Sequence, residues 1–259
     1  MEYLSLDQVK QIELNILKYV DAVCKEHNLR YFLSFGTLIG AIRHKGFIPW
    51  DDDIDISMPR EDYEKLIHIT ENIEDPRYKV LSYKTVKYPY PFIKVVDSFT
   101  RIEDDGVVDY PHKGLWIDIF PIDGFKTPQR PMASKITMSL ERLRSLASYR
   151  ILPDKHKNHK ILWKFSRMIG AEFFQNIIQK MSENRLYDSN DYAGCFYASL
   201  KIMKKEVYGN GTTAQFEGFE FSIPTEYDYF LREVYGDYMK LPPADQQISH
   251  CIKAYIVNK

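Results

Sequence analysis

Four aspartates fall within five positions, Asp51, Asp52, Asp53 and Asp55, directly after Trp50 and at the head of a β-prone run, Asp53-Ile54-Asp55-Ile56-Ser57. Strand side chains alternate between faces. The run is therefore expected to carry Asp53 and Asp55 on one face, about 7 Å apart at Cα, with Ile54 and Ile56 in a core behind it. Two carboxylates converging from one rigid strand repel each other unless a cation lies between them. They suit Mg²⁺, bound through one or two carboxylates with phosphate oxygens and water completing the shell. Asp51 and Asp52 have an equally good use in shaping the turn and capping the next helix.

At 259 residues the chain has room for one substantial core with a helical appendage. Its three cysteines, Cys24, Cys195 and Cys251, are odd in number, widely spaced and free of any CxxC pattern. That argues against a disulfide framework or zinc site and for a reducing, cytoplasmic setting. No apolar run approaches the ~18 residues of a membrane-spanning helix. Residues 6–27 carry charges throughout, so no secretory leader is expected. The net charge of −1 hides an asymmetry: residues 126–181 hold twelve Lys/Arg against three Asp/Glu. A solvated helical face accounts for such a run; so does a surface for anionic phospholipid at the inner face of the membrane. Nucleic acid is not expected, since no recognised binding module accompanies the charge.

Periodicity gives the element order. Ser5 and Gln8 have capping-box spacing ahead of a long amphipathic helix to about Asn28. A short buried strand follows at 31–34, a turn at Gly36-Thr37, a short helix over 38–43, then the acidic strand. Pro59 is expected in the first turn of a helix ending near Ile69. Strands are expected at 78–83, 92–96, 99–103 and 115–120, two or three helices over 128–181, and a hairpin around Gly218. A last helix, capped by Thr225 with Asp228, is expected to run to about Tyr235. Mixed strands and helices in this order predict an α+β fold.

Three elements carry chemistry. Gly36-Thr37 at a strand-to-helix turn lets a phosphate approach free backbone N–H groups. Asp53 and Asp55 supply paired carboxylates. Asp118, polar between Ile117 and Ile119 in another strand, is a third; taken alone it reads as a hydrogen-bonded structural carboxylate.

Together these resemble the nucleotidyltransferase superfamily. The run Ser34-Phe35-Gly36-Thr37-Leu38-Ile39-Gly40-Ala41-Ile42-Arg43-His44-Lys45-Gly46-Phe47-Ile48-Pro49-Trp50-Asp51-Asp52-Asp53-Ile54-Asp55-Ile56 closely resembles the signature of the LicD family. The resemblance continues in Trp116-Ile117-Asp118-Ile119-Phe120-Pro121-Ile122-Asp123-Gly124, in 216–224 and in 235–243, and is weakest over the basic region.

It implies a nucleotidyltransferase-like mixed β-sheet core with flanking helices, formed by 1–125 and 200–259, and a basic helical insertion over 126–199. It also implies a phosphotransferase that moves phosphocholine, or a related phospho-alcohol, from a CDP-linked donor to a sugar hydroxyl of a surface glycan precursor, with release of CMP. The acceptor would be lipid-linked, as in teichoic acid or lipopolysaccharide modification. Asp53, Asp55 and Asp118 would hold Mg²⁺ or Mn²⁺, and Asp118 would accept the hydroxyl proton. Arg43, His44, Lys45 and Lys94 are candidates for the phosphates. Choline would need an aromatic cage, with Trp50, Trp116, Tyr83, Tyr88 and Tyr90 as walls and Asp245 and His250 closing the pocket. A nucleotidyltransferase acting on a small molecule or protein, and a non-catalytic glycan- or nucleotide-binding partner, are the alternatives.

Overall fold

The computed structural model describes residues 2–103, 106–247 and 252–257. It is a mixed α+β fold, built on a central sheet in the order β1-β2-β6-β4-β3. These strands are β1 (Phe32–Leu33), β2 (Asp55–Pro59), β3 (Tyr78–Leu81), β4 (Ile93–Asp97) and β6 (Trp116–Phe125), with β5 (Thr100–Ile102) outside the sheet. β2 and β6 are parallel, and the other pairs in this row are antiparallel.

Helix α1 (Leu6–Glu26) begins with the expected capping box: Gln8 N–H donates to Ser5 Oγ, and Ser5 N–H to Gln8 Oε1. Its buried face, including Ile16, Leu17 and Val20, joins Ile54, Ile56, Ile93, Ile117 and Ile119 in the main hydrophobic core. Helix α2 (Phe35–His44) starts at Phe35, earlier than periodicity predicts, so Gly36 and Thr37 lie in its first turn. Pro59 caps α3 (Arg60–Thr70) from outside instead of entering it.

β6 runs past Pro121, where a strand end at Phe120 is expected. Asp118 N–H donates to Ile54 O, so alternation turns the backbone nitrogens of 118, 120 and 122 toward β2 and that of 121 to the other edge. Pairing with β4 there stops at Ile119, and pairing with β7 (Tyr192–Gly194) begins at Asp123. The missing proline N–H falls in that gap.

Between β6 and β7 lie α4 (Met132–Ser148), a 3-10 turn (Asp154–His159), α5 (Lys160–Ile169) and α6 (Ala171–Ser182). β7 also pairs with β8 (Met203–Lys204), so part of the segment expected as an insertion extends the central sheet. The hairpin forms as β9 (Thr212–Phe216) and β10 (Phe219–Ile223). Helix α7 (Tyr227–Tyr235) follows, but without the expected cap: Thr225 Oγ1 accepts from Gly211 N–H, and Asp228 accepts from Arg232 and Tyr238. β11 (Ala254–Ile256) pairs with β5, a contact no local pattern announces. His250 and Cys251 lie outside the described residues.

Candidate active site

Sheet register assembles the site. Asp118 stands opposite Asp55 on one side and opposite Lys94 on the other. Directly registered residues share a face, so these three side chains form a row across three strands, while Ile56, Ile119 and Ile93 form the buried row behind. Both backbone groups of Asp55 are held: its N–H donates to Thr37 Oγ1 at 2.8 Å, and its carbonyl accepts from Ser34 N–H at 3.0 Å. Thr37 thus positions the carboxylate strand from the first turn of α2. Asp53 departs from expectation, because β2 begins at Asp55 and Asp53 lies in the extended loop that enters it.

A fourth carboxylate, absent from the sequence reading, joins this group. Glu13 is fully buried on α1, and neither of its oxygens has a hydrogen-bond partner among the described residues. Burial pushes its pKa well above the ordinary range, and Asp53, Asp52, Asp118 and Asp51 push it in the same direction. The signal was present: Glu13 falls four residues after buried Val9 and three before buried Ile16, on the apolar face of α1. An acid at a core position either is an error of patterning or has a partner to meet.

Asp55 is likewise held well above the usual carboxylate range, by burial first and then by Asp53 and Asp118. Lys94 answers part of this charge. Its Nζ donates to Asp118 Oδ1 at 2.6 Å, below the rings of Trp116 at 4.0 Å, Tyr90 at 4.8 Å and Phe92 at 5.4 Å. Burial lowers the lysine and raises the aspartate, and their mutual attraction opposes both shifts. Tyr235, at the end of α7, is pushed up to about 12 by burial and then by Asp55 and Asp51.

Among the described residues no three His, Cys, Asp or Glu side chains already stand in a metal-ligating arrangement. The chemistry of the donors nonetheless fits a divalent cation. Glu13, Asp53, Asp55 and Asp118 are all oxygen donors, two desolvated carboxyls repel their neighbours, and Glu13 is orphaned.

Other expected residues are placed differently. A Cβ on Gly36 would lie 2.6 Å from Asp51 Oδ2, so glycine here admits the acidic loop's own carboxylate against α2. Asp52 is buried and accepts from Ile252 N–H, tying the loop to the C-terminal segment. Arg43, His44 and Lys45 do not gather at the carboxylates. They occupy the far end of α2, roughly 10 Å along the axis from Thr37. There Arg43 donates to Tyr238 O at 2.6 Å and to His44 Nε2 at 2.9 Å, and the carbonyl of Lys45 accepts from Glu217 N–H. Trp50 packs on the main core. Of the expected cage, Trp116 and Tyr90 enclose Lys94, Tyr88 is buried with its hydroxyl donating to Phe92 O, and Tyr83 donates to Glu64. Asp245 sits in a 3-10 turn (Ala244–Gln246).

A family model described as "LicD/FKTN/FKRP, nucleotidyltransferase domain" matches residues 28–145, the stretch that holds Asp53, Asp55, Lys94 and Asp118. The chain is similar over its whole length to the lipopolysaccharide cholinephosphotransferase LicD of Haemophilus influenzae. The two are 32% identical over 269 residues, covering 99% of this chain and 100% of that protein. A shorter match, 44% identical over 45 residues, links it to the ribitol 5-phosphate transferase FKRP of human and mouse, covering 17% of this chain and 9% of those proteins. With a relative of this identity aligned from end to end and a family model laid over the carboxylate strands, the chain belongs to the LicD family.

Proposed function

We propose that the protein transfers phosphocholine from a CDP-linked donor to a sugar hydroxyl of a lipopolysaccharide-type glycan, releasing CMP. The observation that carries the reading is the row Asp55–Asp118–Lys94, with Asp53 and Glu13 beside it. Four carboxyls around one lysine make a site for a cation-bearing phosphate substrate. The cholinephosphotransferase relative, aligned from end to end, supplies the headgroup.

In this reaction the hydroxyl oxygen forms a bond to the phosphorus that carries choline, and the bond from that phosphorus to CMP breaks. The hydroxyl proton goes to Asp118, which burial makes a stronger base than an ordinary aspartate. Lys94 fixes the orientation of that carboxylate, and Thr37 fixes the backbone of Asp55. Asp53, Asp55 and Asp118 would hold Mg²⁺ or Mn²⁺, which when bound neutralises charge building on the phosphates.

The test is product analysis by mass spectrometry. The full chain is incubated with glycan acceptor, Mg²⁺ and CDP-choline, CDP-ethanolamine, CDP-ribitol or CDP-glycerol in turn. Choline phosphate on the glycan with free CMP is expected. Nucleotide on the acceptor would instead make the protein a nucleotidyltransferase, and no product with any donor would make it a binding partner.

The surface of α5 favours a second property, contact with an anionic membrane. Ile161, Phe165 and Met168 are 87%, 52% and 78% exposed, whereas Ser166 on the opposite side is buried. At 100° per residue those three make one stripe, and Lys160, Lys164 and Arg167 make the stripe beside it. An outward apolar stripe flanked by lysine is the pattern of a helix lying in a membrane interface. There the enzyme would meet a lipid-linked acceptor. Among the described residues no helix is long and apolar enough to cross a membrane. Liposome sedimentation tests the contact.

A further inference from the structure

Beside the carboxylate row the same sheet face continues into three phenylalanines. Phe120 lies two residues beyond Asp118 on β6, and Phe92 two residues before Lys94 next to β4. Strand alternation puts each about 7 Å from its charged neighbour and on the same face. Their rings meet at 4.6 Å, and Phe35 meets Phe120 edge-on at 5.3 Å. All three are half-buried, and none belongs to a hydrophobic core cluster. They line a cavity of about 700 Å³ that α4 borders with Lys135 and Arg142.

Phe35 is held at φ +48° in the first turn of α2. A bulky non-glycine residue there costs on the order of 1–3 kcal/mol, and such strain persists where a function uses it. That conformation is found together with the edge-on contact of its ring with Phe120.

We infer that this cavity binds the quaternary ammonium of the donor's headgroup; the inference rests on the phosphocholine reading above. A trimethylammonium donates no hydrogen bond and is recognised by ring faces. The neighbouring trio Trp116, Tyr90 and Phe92 already encloses the ammonium of Lys94 in that way. Phe35, Phe92 and Phe120 offer a second aromatic set one step along the strands. The basic rim from Lys135 and Arg142 answers the phosphate of the same zwitterion. Glu141, which also borders the cavity, is neutralised by Nε and Nη2 of Arg144, each at 2.7 Å.

Ligand-observed NMR with free phosphocholine tests the site. Saturation transfer to the trimethyl protons is expected with the wild-type chain, weakened at least tenfold in Phe120→Leu and Phe92→Leu. Met138→Lys, on the α4 wall of the cavity, keeps every phenylalanine and adds a like charge; it should weaken transfer by a similar factor. Signals equal to wild type in all three folded variants, or no transfer with wild type, overturn the pocket. The second assay is the ratio of kcat/KM for CDP-choline to that for CDP-ethanolamine, expected to fall at least tenfold in each phenylalanine variant. Wild-type turnover of CDP-choline with an unchanged ratio in the variants defeats the pocket alone. Absence of phosphocholine transfer by wild type, with NMR binding intact, defeats the proposed reaction alone.

Discussion

Lys94 and Asp118 face each other across antiparallel strands and close to 2.6 Å beneath the ring of Trp116. The lysine places a cation inside the carboxylate row. Replacing it with an apolar residue of similar length leaves Asp118 and Asp55 adjacent in a desolvated site. Lys94→Met is therefore expected to lower the free energy of unfolding by about 3–5 kcal/mol at pH 7, the usual cost of orphaning one member of a buried pair. The loss should shrink at pH 5, where Asp118 can take up a proton. Urea unfolding at both pH values checks it, and an unchanged midpoint at pH 7 counts against the pairing.

Glu13 gives a pH dependence of defined sign. Its folded pKa is raised, so the folded chain holds the proton more tightly than the unfolded chain. That contribution to stability is complete below the ordinary glutamate value of about 4.3 and is lost as pH rises through the raised value. Measured without divalent cation, wild-type stability relative to Glu13→Gln should decline from about pH 4.5 upward. Denaturant midpoints for both chains across pH 4 to 8 provide the comparison. Parallel curves would mean that Glu13 titrates as an exposed acid does.

Much of this site is legible in the sequence, and what is not has a physical reason. Alternation around Asp55 and Asp118 places both carboxylates, because a period of two determines which face a side chain takes. Which strands become neighbours is a long-range matter, so the meeting of Asp118 with Lys94 needs the register. How far Arg43, His44 and Lys45 lie from Gly36 is set by the rise of α2, which proximity in sequence does not convey. Glu13 is missed because a charge on an amphipathic helix is read as solvent-facing. The aromatic walls shift for a similar reason: composition announces rings, but Trp116 and Tyr90 are committed to Lys94 by cross-strand packing.

Asp123 shares its strand with Asp118 but serves the fold. It accepts from Arg60 Nε at 2.7 Å and from Phe196 N–H at 2.7 Å, with all three groups buried, and so joins α3 and the segment after β7 to the end of β6. Asp123→Ala is expected to cost about 3–5 kcal/mol by removing the buried carboxylate closest to the Arg60 guanidinium, which keeps Glu64 at 3.1 Å. Asp188→Ala, which removes an exposed partner of Arg30, should cost no more than about 1 kcal/mol. Chemical denaturation of the two variants side by side decides it, and equal losses would refute the distinction.

Asp53 and Asp55 should separate chemistry from folding. Each carboxylate adds repulsion to a crowded site, so Asp53→Asn or Asp55→Asn removes charge that the empty fold does not need. Turnover is expected to fall by at least 10³, about 4 kcal/mol of transition-state stabilisation, while the melting temperature without metal holds or rises. Steady-state CMP release and thermal unfolding, measured on the same preparations, test both halves. Turnover within tenfold of wild type would remove these residues from the metal site.

The outward stripe of α5 makes the membrane contact separable from catalysis. Ile161→Ser, Phe165→Ser and Met168→Ser together remove apolar area that touches solvent, so they should leave the fold intact. Their transfer into a bilayer interface is what supplies binding, at about 25 cal/mol for each Å² withdrawn from water, with Lys160, Lys164 and Arg167 adding attraction to anionic headgroups. Sedimentation with phosphatidylglycerol vesicles is expected to capture the wild-type chain and to lose at least tenfold in affinity for the triple variant. Lys160→Glu with Lys164→Glu should weaken binding to anionic vesicles as well, and neutral phosphatidylcholine vesicles should bind the wild-type chain more weakly than anionic ones. Equal sedimentation of wild type and triple variant would exclude α5 as the contact. A wild-type chain that ignores vesicles but dimerises through this stripe in analytical ultracentrifugation would assign the surface to a second copy instead.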